Sequence, residues 1–232
     1  MKWTKKTVAR TLDHAALKAN MTDQDIIDAC ELGRKYGVAT VCVRPSDVPL
    51  AAQELAGSGV DVSAVVGFPH GAHRPETKAL EAKLAIEDGA KELDMVMNVG
   101  KFLSNDFDWV LRDIAGVVAE ARPKGVLVKV IIESTYLTLA QVARACEIAR
   151  DGGADFVKTS TGFASVGPGA TPEAIEVMIE TVGETMGVKA SGGIRDFVSA
   201  LSFLEQGCKR LGTGGGSKAI CENAPADPDE TY

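Results

Sequence analysis

The sequence predicts an α/β protein built as a single (β/α)8 TIM barrel, and three observations carry that prediction. Eight short β-rich runs recur along the 232 residues. The segments between them repeat apolar residues at helical spacing, as in Ile26, Ile27 and Cys30 or Ala174, Ile175, Met178 and Ile179. Each strand and helix unit takes roughly thirty residues; crossover connections make successive strands parallel, and eight such strands close on themselves.

Taken in order, the strand candidates are ARTLDHA from Ala9, VATVCV from Val38, VDVSAVVGF from Val60 and KELDMVM from Lys91. VLVKVII from Val126, DFVKTS from Asp155, GVKAS from Gly187 and KRLGTG from Lys209 complete the set. Helix starts are marked by Thr22 with Asp25 and Thr138 with Gln141 at capping-box spacing, and by Thr171 before Pro172. Glycines 37, 59, 89, 153, 187 and 207 precede the next strand, where a helix end favours a residue free to adopt positive φ. The competing architecture is an open doubly wound sheet. It would want a GxGxxG turn after the first strand, whereas GTGGGS falls at 212–217. No linker divides the chain, so residues 1–222 are expected to form the barrel and residues 223–232, NAPADPDETY, a flexible C-terminal tail.

Composition narrows the function. Lys and Arg total 25 against 32 Asp and Glu, and the net charge of -7 offers no field to attract a phosphate backbone, so nucleic acid is not expected as a partner. The basic start MKWTKKTVAR is followed by no apolar run of signal-peptide length, and no stretch reaches the eighteen or so apolar residues of a membrane span. A cytoplasmic protein with no membrane partner is expected. Cysteines 30, 42, 146, 208 and 221 are scattered without CxxC spacing and read as reduced, buried small hydrophobes, with Cys42 a candidate pocket residue.

In such a barrel the chemistry lies where strands end. Asp13 is expected to end strand one, Asp94 lies in strand four, Lys129 in strand five with Glu133 near its end, Lys158 ends strand six and Lys189 lies in strand seven. Three lysines and three carboxylates are thus expected to converge on one mouth. Two lysines on neighbouring strands at one level repel each other, and burial acts in the same direction, toward the neutral amine that attacks carbonyls. Lys158 is the candidate nucleophile and Lys189 its electrostatic partner; Lys129 has more strand after it and is expected deeper, in a polar network. Thr161 and Gly162 after strand six, Gly192 and Gly193 after strand seven, and the 212–216 glycines including Gly214 and Gly215 after strand eight could present backbone N–H groups to phosphate. A metal is the alternative, since PHGAH sets His70 and His73 three apart and His14 follows Asp13; three histidines with that spacing in a loop fit it poorly, and no metal is expected.

These motifs resemble the deoxyribose-phosphate aldolases, class I aldolases on a (β/α)8 barrel. The likeness is carried along nearly the whole chain by TLDHAALK, VCVRPSDV, VVGFPHG, ETKALEAKLAIEDGAKELDMVMN, VKVIIE, GADFVKTSTGF, GATPEAI, VKASGGIRD and RLGTG. The resemblance implies reversible cleavage of 2-deoxy-D-ribose 5-phosphate to D-glyceraldehyde 3-phosphate and acetaldehyde. It implies Lys158 as the Schiff-base lysine, Lys189 as the second catalytic lysine, Asp94 as a proton relay and Asp13 as a further polar residue of the site. It further implies no metal or organic cofactor, a homo-oligomer (dimer or tetramer), and Tyr232 as a proton relay from the tail. Two positions depart from the family pattern: Ala15 stands where many members carry Thr, and Gly214 and Gly215 stand where serine is common. They keep open a related Schiff-base aldolase with a different or unphosphorylated aldehyde acceptor. A non-catalytic sugar-phosphate-binding barrel would keep the glycines without the lysines.

Overall fold

The computed structural model describes residues 3–227. Its sheet is a closed barrel of eight parallel strands in sequential order, which settles the architecture against the open sheet. The strands are β1 (Leu12–Ala16), β2 (Thr40–Val43), β3 (Asp61–Val66), β4 (Glu92–Val96), β5 (Leu127–Ile131), β6 (Phe156–Lys158), β7 (Gly187–Ser191) and β8 (Arg210–Thr213). The helices are α1 (Lys5–Ala9), α2 (Asp23–Tyr36), α3 (Val48–Glu54), α4 (Pro75–Glu87), α5 (Val99–Leu103), α6 (Phe107–Ala121), α7 (Leu139–Asp151), α8 (Pro172–Val182), α9 (Phe197–Gln206) and α10 (Ser217–Asn223). All eight expected strands form. The capping boxes at Thr22 and Thr138 and the Thr171 cap before Pro172 are present, each hydroxyl accepting the backbone N–H three residues on.

Alternation along the strands divides the molecule into two interiors. Val41, Val43, Val62, Ala64, Val66, Leu93, Met95, Val128, Val130, Val157, Val188, Ala190 and Leu211 face outward and join the helix side chains in one hydrophobic core. Burying each such aliphatic side chain contributes about 1.5–3 kcal/mol. The intervening residues face the barrel axis, and there the usual branched aliphatic filling of a (β/α)8 barrel gives way to Asp13, Thr40, Ser63, Glu92, Asp94, Lys129, Lys158, Lys189 and Arg210. Burial of so many polar groups requires that they satisfy one another.

Three local expectations are corrected. Asp13 does not end β1; it is the strand's second residue, so it sits low in the barrel and Ala15 occupies the inward position nearer the rim. Gly187 opens β7 without positive φ; a Cβ there would lie 2.1 Å from the Phe156 ring, so close approach and not helix-end geometry requires glycine. Gly212 belongs to β8 and not to the turn after it. The basic start is a helix: in α1 the Thr4 and Thr7 side chains cap each other's backbone N–H groups. Residues just after α10 are held against α1, where Lys5 N–H donates to the Pro225 carbonyl at 2.7 Å and Asp227 accepts from Thr4 Oγ1 and from the Lys6 N–H. Tyr232 lies outside the described residues.

Candidate active site

Strand register brings the ionisable groups together in the barrel interior. Lys129 is paired with Asp94 across β4 and β5, Lys158 with Lys189 across β6 and β7, and Lys189 with Arg210 across β7 and β8. The two lysines expected at one level are therefore direct neighbours in register. Asp94 is the hub: its Oδ2 accepts from Lys158 Nζ and Lys189 Nζ, both at 2.6 Å, while its Oδ1 accepts from Lys129 Nζ at 2.7 Å and Ser63 Oγ at 3.1 Å. Asp13 Oδ2 pairs with Lys189 at 2.5 Å and its Oδ1 with Arg210 at 2.5 Å. Glu92 pairs with Lys129 at 2.5 Å and with Arg210 at 2.5 Å, which closes the network across the floor of the barrel.

Convergence thus occurs inside the barrel more than at its mouth. Lys129 lies in the lower polar network, as its position in β5 suggested. Asp13 has both oxygens engaged, by Lys189 and Arg210. Glu133 leaves the set: it accepts the Thr161 N–H at 3.1 Å and the Thr161 hydroxyl at 2.5 Å, beyond the strand ends. Glu92 and Arg210 replace it and were not expected. The period-2 alternation that puts Glu92 on the face of Asp94, and Arg210 on the face of Gly212, is the signal that finds them.

Electrostatics separate the three lysines. Burial opposes the charge on all of them. For Lys158 burial prevails, helped by the charge of Lys189 and opposed by Asp94, and its pKa falls below the ordinary lysine value. For Lys189 burial is outweighed by Asp13 and Asp94, and for Lys129 by Asp13, Asp94 and Glu92, so both stay protonated more firmly than a free lysine. Burial likewise opposes the charge on Asp94, yet Lys129, Lys158 and Lys189 hold its carboxyl well below the usual range. Cys42 faces the same space; burial, then the Asp94 charge, pushes its thiol up to about 11.

At the mouth, the loops after β6 and β7 are locked together. Thr159 Oγ1 donates to the Ser191 carbonyl and accepts the Ser191 N–H, both at 2.9 Å, while Ser191 Oγ donates to the Ser160 carbonyl at 2.5 Å. Gly162, Gly192 and Gly193 all have positive φ, and a Cβ on Gly169 would lie 2.7 Å from Gly192 Cα, so these two loops pass in contact. Thr161 has its hydrogen-bonding capacity largely taken by Glu133. The rings of Phe163 and of Phe68 in the β3–α4 loop meet at 83° in a T-shaped pair, with centroids 5.2 Å apart. On the β8 side Gly214 and Gly215 have no positive φ and open space where a Cβ would stand. That loop is pinned from below by a buried chain in which His14 Nδ1 and Ser217 Oγ lie 2.8 Å apart and Ser217 Oγ and Thr213 Oγ1 lie 2.6 Å apart. His70 and His73 are exposed on the β3–α4 loop, and no three potential metal ligands cluster among the described residues.

Fold and interior together define a (β/α)8 barrel with lysines and carboxylates gathered along its axis. The match to known families narrows this: residues 7–215 fit the DeoC/LacD family aldolase, and the chain belongs to that family. It is 50% identical over 213 residues, 92% of this chain and 94% of the relative, to a deoxyribose-phosphate aldolase of Geobacillus sp. (strain WCH70). It is 48% identical over 223 residues, 95% of this chain and 98% of the relative, to one from Thermococcus kodakarensis. Among solved structures it resembles a tetrameric deoxyribose phosphate aldolase from Aeropyrum pernix, with a TM-score of 0.86 and 30% identity over 94% of this chain and 91% of that one. An aldolase called QR15 is similar at a TM-score of 0.87 and 37% identity, covering 93% and 94% of the two chains.

Proposed function

We propose that the chain is a deoxyribose-phosphate aldolase, a lyase that cleaves 2-deoxy-D-ribose 5-phosphate reversibly to D-glyceraldehyde 3-phosphate and acetaldehyde. The observation that carries the mechanism is the shared oxygen: Asp94 Oδ2 holds Lys158 and Lys189 together, each at 2.6 Å. Lys158, at the end of β6 and lowered in pKa by burial, supplies the free amine. It adds to C1 of the open-chain sugar and loses water to form an iminium. A proton then leaves the C3 hydroxyl, the C2–C3 electron pair moves into the iminium, and D-glyceraldehyde 3-phosphate departs from an enamine. Protonation of the enamine carbon and hydrolysis release acetaldehyde and regenerate the amine. Asp94 and Lys189 are suited to pass these protons through water, because a proton on either lysine is already bonded to the same carboxylate. Asp13 also accepts from Lys189 and holds it in place.

The phosphate is assigned to the backbone N–H groups of the loops bearing Gly162, Gly192, Gly193, Gly214 and Gly215, with Thr161 serving to fix the first of them. Metabolic relatives and five buried, free cysteines support a cytoplasmic location. A homo-oligomer, dimer or tetramer, is supported by the tetrameric relative and by large apolar side chains left exposed on α4 and α9, among them Leu80, Leu84 and Val198. The test is a coupled assay on 2-deoxyribose 5-phosphate and 2-deoxyribose, repeated in EDTA, with borohydride trapping of acetaldehyde. Cleavage that favours the phosphorylated sugar, survives EDTA and leaves label on Lys158 is expected. Label on Lys129 or Lys189, or loss of activity in EDTA, overturns the mechanism.

A further inference from the structure

Among the described residues, seven ionic side chains meet inside the barrel: the buried carboxylates of Asp13, Glu92 and Asp94, the buried lysines Lys129, Lys158 and Lys189, and Arg210, whose side chain is 15% exposed at the floor. Three negative groups therefore face four positive ones. The three lysines and three carboxylates are each at most 4% exposed, so solvent screens the mismatch poorly and the excess is relieved by releasing one proton. Arginine does not give one up. The proton must come from a lysine, and the pairing pattern says which.

Lys129 contacts three carboxylates, Glu92 at 2.5 Å, Asp94 at 2.7 Å and Asp13 at 3.4 Å. Lys189 contacts two, Asp13 at 2.5 Å and Asp94 at 2.6 Å. Lys158 contacts one, and shares that oxygen with Lys189. It is the least compensated cation in the enclosure and the one at the mouth. We propose that Arg210 and Glu92, on the floor of the barrel and touching neither Lys158 nor its mouth, are positioning residues that set the protonation of Lys158 through the charge balance of the whole enclosure. The permanent charge of Arg210 is the surplus that leaves Lys158 neutral, and Glu92 limits that surplus to one.

The other groups around Lys158 do not disturb the count. Asp94 comes from β4, Lys189 from β7 and Lys129 from β5, all included above. Cys42 from β2 stays a neutral thiol, its pKa pushed up to about 11 by burial and then by Asp94. His14 is on the outward face of β1, bonded to Ser217, and Glu133 is engaged by Thr161 beyond the strands. Burial opposes charge on Arg210 as on the lysines, but Asp13 and Glu92 raise it, which agrees with a fixed cation at the floor.

The inference rests on Lys158 as nucleophile, and the experiment separates the two. The pH dependence of borohydride trapping with acetaldehyde is measured for the wild type, Arg210→Met, Glu92→Gln and the double variant, with the labelled lysine mapped and melting followed in each. Arg210→Met leaves three cations on three carboxylates, so the acidic limb of trapping should move up by about one pH unit or more, a tenfold loss of neutral amine at a given pH. Glu92→Gln leaves four on two and should move the limb down. The double variant, three on two, restores the surplus of one and should return it close to wild type. A purely structural role would change melting and move no limb in opposite directions. If Arg210→Met fails to fold, the downward shift in Glu92→Gln and its return in the double variant carry the test. Label on Lys158 with limbs unmoved, or moved in the same direction by both single changes, overturns the inference; no label on Lys158 at any pH overturns the nucleophile assignment and the inference together.

Discussion

Strand β4 has a buried lysine–aspartate cluster on each side, and the two behave differently. Inside the barrel Asp94 gathers Lys129, Lys158 and Lys189. Outside it, Lys78 of α4 donates to the Val96 carbonyl at 2.7 Å and to Asp113 of α6 at 2.5 Å. Burial lowers the pKa of Lys78 just as it lowers that of Lys158, and it pushes the Asp113 carboxyl up to about 6 against the pull of Lys78. A depressed lysine pKa therefore does not identify a nucleophile. Lys78 is wholly enclosed and paired one to one, tying α4, β4 and α6 together; Lys158 stands at the C-terminal end of β6 with 4% exposure and shares with Lys189 the one carboxylate it contacts among the described residues. Access and unequal pairing are what separate the proposed nucleophile from the structural lysine.

The strongest test of that distinction exchanges each lysine for methionine. Lys158→Met should cost turnover at least about 10⁴-fold and abolish borohydride trapping with little loss of fold, because methionine fills the space and replaces a neutral amine, leaving three cations on three carboxylates. Lys78→Met should do the reverse, costing about 3–5 kcal/mol in urea unfolding by stranding Asp113, while the folded fraction still labels at Lys158. Equal catalytic loss per folded molecule in both variants would erase the difference between the two clusters.

Next come the partners of Lys158. Lys189→Leu removes a neighbouring cation and frees Asp94 to stabilise the Lys158 ammonium, so turnover at neutral pH should fall and recover as pH rises. Near wild-type turnover at neutral pH would break the two-lysine mechanism. Asp94→Asn should lower turnover on the order of a hundredfold. The structure adds a cost not visible in the sequence: Asp94 lies among three lysines rather than at an open rim, so its loss should lower the melting temperature as well.

What could be read from the sequence followed periodicity and local chemistry. Strands, caps at Thr22, Thr138 and Thr171, and the lysines of β5, β6 and β7 all announce themselves within a few residues. Helix α1 did not, because its cap uses Thr7 where a capping box usually has Glu or Gln. Arg210 opens a strand and looks there like a solvated end residue; only barrel closure brings it against Asp13 of β1 and Glu92 of β4. Lys78 is harder still. In ETKALEAKLAIE nothing local distinguishes it from Lys83, which is exposed, and burial is decided by where α6 packs. Long-range pairing was the missing information in each case.

A smaller effect probes the pin beneath the β8 loop. Burial, opposed by a hydrogen bond to the Gly214 backbone, lowers the His14 pKa to about 4 from 6.5. The folded protein thus resists a proton that the unfolded chain accepts. Stability from this group is fully present above pH 6.5 and is lost as pH falls toward 4, by up to about 3 kcal/mol. Replacing His14 with Asn should flatten the decline of urea-unfolding stability across that window relative to wild type. An unchanged slope would show that His14 already titrates normally in the fold.

The smallest predicted change is at Gly214, in the loop that His14 helps hold. Its φ is not positive and a Cβ would meet nothing within 4 Å, so a side chain carries neither backbone strain nor a clash. That removes the conformational reason for glycine and leaves the chemical one. A serine hydroxyl donating to a phosphate dianion forms a charge-assisted bond of roughly 1.5–3 kcal/mol when aligned, about tenfold to a hundredfold in affinity. The glycine backbone already presents N–H groups to the same ligand, and a flexible surface turn gives back part of any gain in ordering the hydroxyl. Gly214→Ser should therefore lower the KM for 2-deoxyribose 5-phosphate by about tenfold at most while leaving that for 2-deoxyribose unchanged. A parallel change in both constants would mean that this position does not read phosphate, and the anion would then have to be held by the locked Gly162 and Gly192 loops on the other side of the mouth.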